Sequence, residues 1–272
     1  MNKNLLKNNS IKPLLKWAGG KRQLIPEILK LIPKNYNNYI EPFIGGGALF
    51  FYLEKNNSII NDSNEDIINL YKEVSKKPSA IIDELKKYKN DSDFFYQMRK
   101  NIPENKLKSA CRTIYLNRTC FNGLYRVNKK GEFNVPYGSY KKVSFVDKEN
   151  FVNASNLLKK TKILNKDYKF VLDKYAKKND LIFLDPPYLP ISKFSDFKRY
   201  TKEQFYLKDH IELGEYFKKL DKMGCHIILT NSNTEITNEV FKDFRIKIIN
   251  TKRNINSNGS NRKGEDIIVT NF

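Results

Sequence analysis

The sequence predicts an α/β fold: an open, mostly parallel sheet whose strands alternate with helices, interrupted by an inserted segment of helices and a β-hairpin. Three observations predict it. Leu181-Ile182-Phe183-Leu184 is an unbroken apolar run stopped by Asp185-Pro186-Pro187-Tyr188, the pattern of a strand buried on both faces that ends at a rigid polar turn. Residues 39 to 62 read as strand, glycine-rich turn, helix, strand and acid. Residues 65 to 120 carry helical periodicity without a strand signal, and a hairpin pattern comes directly after them.

In chain order, a polar leader of ten residues precedes Leu14-Leu15-Lys16-Trp17-Ala18-Gly19-Gly20-Lys21, whose glycine pair lets backbone approach a ligand closely. A helical pattern runs from Leu24 to Leu31 and stops at Pro33. Tyr39-Ile40 is a short strand leading into Glu41-Pro42-Phe43-Ile44-Gly45-Gly46-Gly47, and Ala48 to Leu53 opens a helix. The glycine spacing departs from GxGxxG, and the acid ahead of it suits a cation-bearing ligand better than a pyrophosphate. Ser58 to Asn61 is a second strand ending at Asp62, 21 residues after Glu41, where an acid commonly binds ribose hydroxyls.

Helices are expected over 65–88, 93–101 and 107–120. Then Leu124-Tyr125-Arg126-Val127-Asn128, Lys129-Lys130-Gly131 and Glu132-Phe133-Asn134-Val135 read as strand, turn with a left-handed glycine, and strand. A lysine-tipped ribbon bearing Arg and Asn fits a DNA major groove, where Arg pairs with guanine and Asn with adenine. A helix over 147–160 returns the chain to the sheet. Residues 161–164 form a third strand with Asp167 just after it, and 181–184 form the fourth. A mobile loop is expected over 189–200, a helix over 201–222, a fifth strand over 225–230, a helix over 234–241, and final strands near 245–250 and 265–271. The polar, basic stretch 253–263 between these last two reads as a flexible loop. His210 and His226 show no partner pattern and are read as core or surface histidines.

The terminal turn of the fourth strand carries chemistry of its own. Each proline fixes its own φ, lacks an N–H and biases the residue before it away from helical geometry, so the carbonyls of Asp185 and Pro186 are held still. With the Asp185 carboxylate they form a cluster of acceptors beside the flat face of Tyr188. That is what an exocyclic amino group on a planar ring requires: acceptors for two N–H bonds and a stacking surface.

Composition narrows the partner. The formal charge is +20, from 50 Lys and Arg against 30 Asp and Glu, which favours a polyanion. Residues 84 to 142 hold fourteen basic and five acidic side chains, so +9 of that charge falls in 59 residues. No run is apolar and long enough to span a bilayer, no signal-peptide pattern opens the chain, and Cys111, Cys120 and Cys225 form no CxxC pair. A reduced, cytoplasmic protein with no membrane partner and no structural metal is the expectation.

With these residues in order, the sequence resembles the Dam-type, D12-class DNA adenine-N6 methyltransferases, in the motif order of their alpha group. Lys16 to Lys21, Glu41 to Gly47, Phe121-Asn122-Gly123-Leu124-Tyr125-Arg126 with Gly131 to Gly138, and Asp185-Pro186-Pro187-Tyr188 all match in sequence, over nearly the whole chain. The resemblance implies a Rossmann-like methyltransferase sheet, mostly parallel with an antiparallel edge strand. It divides the chain into a catalytic part over 1–65, an inserted target-recognition domain over 66–160 and a second catalytic part over 161–272.

It further implies S-adenosylmethionine as cofactor, contacted by Trp17, Lys21, Asp62 and Asp185, with Glu41, Phe43, Gly45 and Gly47 around its pocket and Asp167 near its adenine. Asp185, Pro186, Pro187 and Tyr188 would be catalytic. Lys16, Asn122, Leu124, Arg126, Asn128, Lys129, Lys130 and Tyr137 would bind double-stranded DNA, with Arg126 reading a guanine of GATC. Close likeness to the methylases of GATC-specific restriction systems implies a cognate endonuclease that acts on the same site without touching this chain, which is expected to be a monomer. Other targets stay open on the residues alone: cytosine N4, an RNA adenine, a protein glutamine amide, a stand-alone regulatory methylase, or an inactive DNA-binding relative.

Overall fold

The computed structural model describes residues 11–17, 21–189, 205–252 and 263–272. Among them seven strands form one sheet: β1 Tyr39–Glu41, β2 Ile59–Asn61, β3 Lys162–Leu164, β4 Leu181–Leu184, β5 His226–Ser232, β6 Arg245–Lys252 and β7 Lys263–Thr270. Their order is β3-β2-β1-β4-β5-β7-β6. The first five run parallel, and β7 is antiparallel to both β5 and β6, so in a mostly parallel sheet the antiparallel strand lies one place in from the edge, which β6 forms. Strand order turns back between β1 and β4, and the crevice at such a switch point, beyond the carboxyl ends of the strands, is where open α/β sheets bind ligands.

The apolar run of β4 behaves as its composition requires. All four residues are buried; Leu181 and Phe183 join the core on one face of the sheet, Ile182 and Leu184 the core on the other. The first core takes in α1 Lys21–Leu29, α2 Ala48–Leu53, α3 Glu65–Lys76, α4 Pro78–Leu85, α6 Lys106–Thr119 and α7 Lys148–Lys159. The second holds α8 Tyr168–Tyr175 and α9 Leu207–Lys222, with Phe241 at the end of α10 Glu235–Val240. The inserted helices therefore share a continuous core with the sheet. A smaller cluster packs Tyr125, Val127, Phe133 and Val135 of the hairpin against Phe95 of α5 Ser92–Lys100 and against Tyr115 and Leu116 of α6. Among the described residues no helix is long and apolar enough to cross a membrane.

Several elements differ from expectation. The helix expected over 65–88 divides into α3 and α4, because Pro78 disfavours helical geometry at Lys77, which sits at φ −137° and ψ 52°. The helix α8 was not expected; Asp167 caps it, its side chain accepting from Lys169 N at 2.8 Å, and Tyr168, Val171 and Leu172 form its buried face. The helix expected over 201–222 starts at Leu207, after Phe205 and Tyr206 in non-helical backbone. The hairpin keeps its alternation but not regular strands: Val127 and Phe133 form an isolated bridge, flanked by Asn128 N to Glu132 O at 2.9 Å and Asn134 N to Arg126 O at 3.1 Å. Of the loops expected over 189–200 and 253–263, residues 190–200 and 253–262 lie outside the described residues, while Leu189 is buried and Lys263 already belongs to β7.

One buried side chain pins the sheet's carboxyl-end turns together. Asn61, 1% exposed, donates to Pro42 O at 3.0 Å and Lys166 O at 2.9 Å and accepts from Lys166 N at 2.9 Å. Asn61→Ala strands two carbonyls and an N–H and should destabilise the protein by about 3 kcal/mol. Urea unfolding checks this, and a loss below about 1 kcal/mol would mean that the turns hold without it.

Candidate active site

The carboxyl ends of β1, β2 and β4 each deliver an acid to the switch-point crevice. Glu41, the last residue of β1, is 2% exposed and accepts from the Tyr39 hydroxyl at 2.7 Å. Burial above all, with the charges of Asp185 and Asp62 adding, pushes its carboxyl well above the usual range, while the Tyr39 hydroxyl opposes that shift. Asp62, just past β2, accepts from Gly45 N and Asn64 N, each at 2.9 Å. Burial lifts its carboxyl to about 6 despite those two bonds. Asp185, just past β4, accepts at Oδ1 from the Thr230 hydroxyl at 2.8 Å, and Pro186 is buried between the half-buried Asp185, Pro187 and Tyr188.

The glycine turn is shaped by an indole. Gly45 and Gly47 have φ of 44° and 65°, the left-handed region that glycine tolerates. A Cβ on Gly45 would meet the Trp17 ring at 2.8 Å, and one on Gly46 would meet Trp17 Cβ at 2.7 Å. Trp17 stacks in turn on Tyr125, with centroids 5.7 Å apart and planes 26° from parallel, and the Tyr125 hydroxyl donates to Asp66 Oδ2 at 3.0 Å. The Gly45 carbonyl accepts from the Tyr71 hydroxyl at 2.7 Å. Phe43 completes an aromatic wall, its ring 5.0 Å from Tyr168 and 5.9 Å from Phe205. Lys21 opens α1, but its side chain, like Ala18 to Gly20, lies outside the described part of the structure.

The hairpin converges on Lys16. Gly123 lacks the Cβ that would lie 2.6 Å from Lys16 Cβ, so the lysine stem lies directly against that glycine. Asn117 fixes the crossing, accepting from Lys16 N at 2.7 Å and donating to Lys16 O at 2.8 Å and Gly123 O at 3.2 Å. Lys16 Nζ lies 4.7 Å over the Tyr140 ring. Asn122 is exposed, with φ 54°. Arg126 lies on the outward side of the hairpin and donates through Nε to Asn134 Oδ1 at 2.8 Å. Lys129 and Lys130 are exposed at the tip.

Asn128, Tyr137 and Asp167, also expected at the ligand or the duplex, make bonds within the protein itself. Asn128 closes the turn, accepting from Lys130 N and Glu132 N. Tyr137 donates to Asn90 and packs on Phe95, and Asp167 caps α8 through Oδ1. The basic segment is also less exposed than its charge implies. Arg112 is 3% exposed and donates to the carbonyls of Met98 and Arg99, Arg118 donates to Leu14 O, and Arg99 to Val135 O. The three cysteines are buried, with thiols pushed up to about 11 or 12, which makes them poor nucleophiles. Sequence reasoning missed Thr230, Asn231, Asn134 and Asn117. The first two had a visible signal: β5, like β4, is an apolar run that turns abruptly polar, at Thr230-Asn231-Ser232.

Aromatic rings and a glycine turn beside acids at the carboxyl ends of β1, β2 and β4, next to a basic hairpin, suit an enzyme with a cationic ligand and a polyanionic substrate. The chain belongs to the D12 class of N6 adenine-specific DNA methyltransferases, whose family model matches residues 17–255. It is 41% identical to the type II methyltransferase M.MjaIII of Methanocaldococcus jannaschii, over 96% of this chain and 99% of that one. It is also 41% identical to the type II methyltransferase M1.LlaDCHI of Lactococcus lactis subsp. cremoris, over 99% of both, and 32% identical to the DNA adenine methylase of Vibrio cholerae, over 95% of both. The fold is the Rossmann-like methyltransferase fold, and the protein is a DNA adenine-N6 methyltransferase. Membership implies S-adenosylmethionine as methyl donor and double-stranded DNA as substrate. The residues fit such a donor, since a sulfonium relieves the crowding of Glu41, Asp62 and Asp185.

Gly45→Ala should drive Trp17 off the turn and destabilise the protein by about 1–3 kcal/mol. A thermal melt measures this, and an unchanged midpoint would show that Trp17 is not held there.

Proposed function

We propose that the enzyme methylates N6 of adenine within GATC in duplex DNA, by flipping the base and transferring the methyl directly, as the modification arm of a restriction–modification system. The observation that carries this reading is the Trp17–Tyr125 stack, which joins the glycine turn to the basic hairpin. The type II names of the two relatives at 41% identity support the biological role. The cognate endonuclease acts on the same sequence without contact, and this chain works as a monomer. Residues 1–65 and 161–272 form the catalytic part, and 66–160 carry target recognition.

When bound, S-adenosylmethionine supplies a methyl group activated by its sulfonium. Asp62 accepts its ribose hydroxyls, Glu41 and Asp185 face its positive charge, and Trp17, Lys21, Phe43, Gly45, Gly47 and Asp167 line its site. The extruded adenine stacks on Tyr188. Its N6 lone pair is delocalised into the ring, so the Asp185 carboxylate and Pro186 carbonyl accept its two hydrogens and localise that pair as the amine becomes tetrahedral. Methylation leaves N6 positively charged, and a carboxylate oxygen of Asp185 accepts the proton that must leave. Holding the atoms in line supplies the remaining acceleration. Arg126, braced by Asn134, takes a guanine in the major groove; Lys16, Asn122 and Leu124 read beside it, and Asn128, Lys129, Lys130 and Tyr137 support the contact with the duplex.

Transfer from labelled S-adenosylmethionine to a GATC duplex and to a scrambled duplex, followed by nucleoside analysis, tests the target. N6-methyladenine in the GATC duplex alone is expected, and equal label in both would refute GATC. Asp185→Ala should abolish transfer in a folded protein, while Tyr188→Ala should slow turnover more than it weakens duplex binding. Arg126→Ala should cost about 1–3 kcal/mol of discrimination at one guanine, read as kcat/KM on single-base variants.

Affinity for the donor should also depend on pH. The Asp62 carboxyl stands at about 6 in the free protein, and ribose hydroxyls bind its ionised form. Binding is therefore full above pH 6 and weakens as pH falls through it, by up to about tenfold per unit. Asp62→Asn should bind weakly at pH 8 with this dependence removed. Calorimetric titration from pH 5 to 8 measures both, and a flat wild-type profile would remove Asp62 from the site.

A further inference from the structure

The β4–β5 ladder stops where the acidic turn begins. Its last paired residues are Leu184 and Leu229, so Asp185 leaves the sheet opposite Thr230, and no strand pairing holds the residues beyond it. Pro186 and Pro187 also remove two N–H groups that could have tied the turn down. Yet β5 continues past Leu229 as Thr230-Asn231-Ser232, with each residue 1% exposed or less. Polar side chains buried so fully at a strand end are costly unless they are bonded.

Two of them are bonded to the turn. Thr230 Oγ1 donates to Asp185 Oδ1 at 2.8 Å. Asn231 Oδ1 accepts from Leu189 N at 3.1 Å, the residue directly after Tyr188, and from Ser232 N at 2.9 Å. With its oxygen so occupied, the Asn231 amide faces His210 Nδ1 at 3.2 Å, which assigns Nδ1 as the acceptor. His210 is 1% exposed under the ring of Phe205, and burial holds its pKa down at about 4, so this backing stays neutral through the working range of pH.

We infer that Thr230 and Asn231 are positioning residues for methyl transfer, the first setting the rotation of the Asp185 carboxylate and the second anchoring the chain just beyond Tyr188. The inference rests on the reading of Asp185 and Tyr188 as the groups that meet adenine. An aspartate's terminal torsion is broad, and a donor at Oδ1 biases which way both oxygens face. The turn is then held at both ends, at 185 and at 189, by side chains that replace the missing ladder.

Single-turnover methyl transfer to duplex DNA from cells lacking adenine methylation tests this without assuming a recognition sequence. Thr230→Val is close to isosteric and should slow transfer about tenfold to a hundredfold, with donor and duplex dissociation constants and the melting temperature nearly unchanged. Thr230→Ser should restore most of the rate, and Asn231→Ala, which also strands the Leu189 and Ser232 N–H groups and so lowers the melting temperature, should slow transfer at a temperature where it remains folded. A wild-type rate for Thr230→Val, a Thr230→Ser variant as slow as Thr230→Val, or, for Thr230→Val, losses of rate, affinity and melting temperature in proportion would each overturn the inference. Asp185→Ala run alongside separates the two claims. Wild-type transfer by Asp185→Ala removes the reading of the turn and the inference with it, whereas an inactive Asp185→Ala beside a fully active Thr230→Val removes the inference alone.

Discussion

Three carboxyl groups gather at the carboxyl ends of neighbouring strands, and much of the molecule is arranged around that fact. Parallel strands bring their carboxyl ends to one side of a sheet, so acids that end β1, β2 and β4 must gather. Burial raises the cost of ionising them, which is why Glu41 and Asp62 stand above the usual carboxylate range, and for Glu41 the charges of Asp185 and Asp62 add to it. The fold answers with donors: Tyr39 to Glu41, Gly45 and Asn64 to Asp62, and Thr230 to Asp185. Groups raised in the folded state favour folding at low pH, and for Asp62 that contribution is lost as pH rises from its ordinary value of 3.8 through about 6. A protein that keeps such a cluster gives up stability for a site that is negative before its ligand arrives.

The remaining charge of the chain lies elsewhere and has the opposite sign. A formal +20 is compatible with an acidic crevice because the two are separated by packed aromatics: Phe95, Tyr115, Tyr125 and Phe133 lie under the hairpin, with Trp17 between them and the glycine turn. Alternation along the hairpin sends Tyr125, Val127, Phe133 and Val135 inward and leaves Arg126 and Asn134 outward and bonded to each other. A guanidinium braced in this way loses less freedom on meeting a planar acceptor pair than one free to rotate.

The features legible in the sequence arise from local rules. An apolar tetrapeptide ended by an acid and two prolines has one reasonable place in an α/β protein, and β4 occupies it. Glycine spacing and the acid 21 residues after Glu41 located the turn and Asp62, and the strand-free run from 65 marked the insertion. The features that escaped depend on partners distant in sequence. Thr230 meets Asp185 across 45 residues and Asn117 meets Lys16 across 101, and no local pattern announces either bond. Arg112 counts as surface charge in a composition and as a buried donor to two carbonyls in the fold. The helix α8 had its cap and its apolar spacing in plain view, but eight residues give a weak periodic signal.

Trp17 is the chain's single tryptophan, and it touches Gly45 and Gly46 on one side and Tyr125 on the other. The molecule thus carries its one indole fluorophore at the junction of its acidic turns and its basic hairpin. Tyrosine emission can be avoided by exciting at the red edge, so movement of either part against the other reaches the detector as a shift or quench from one known position, in unlabelled protein.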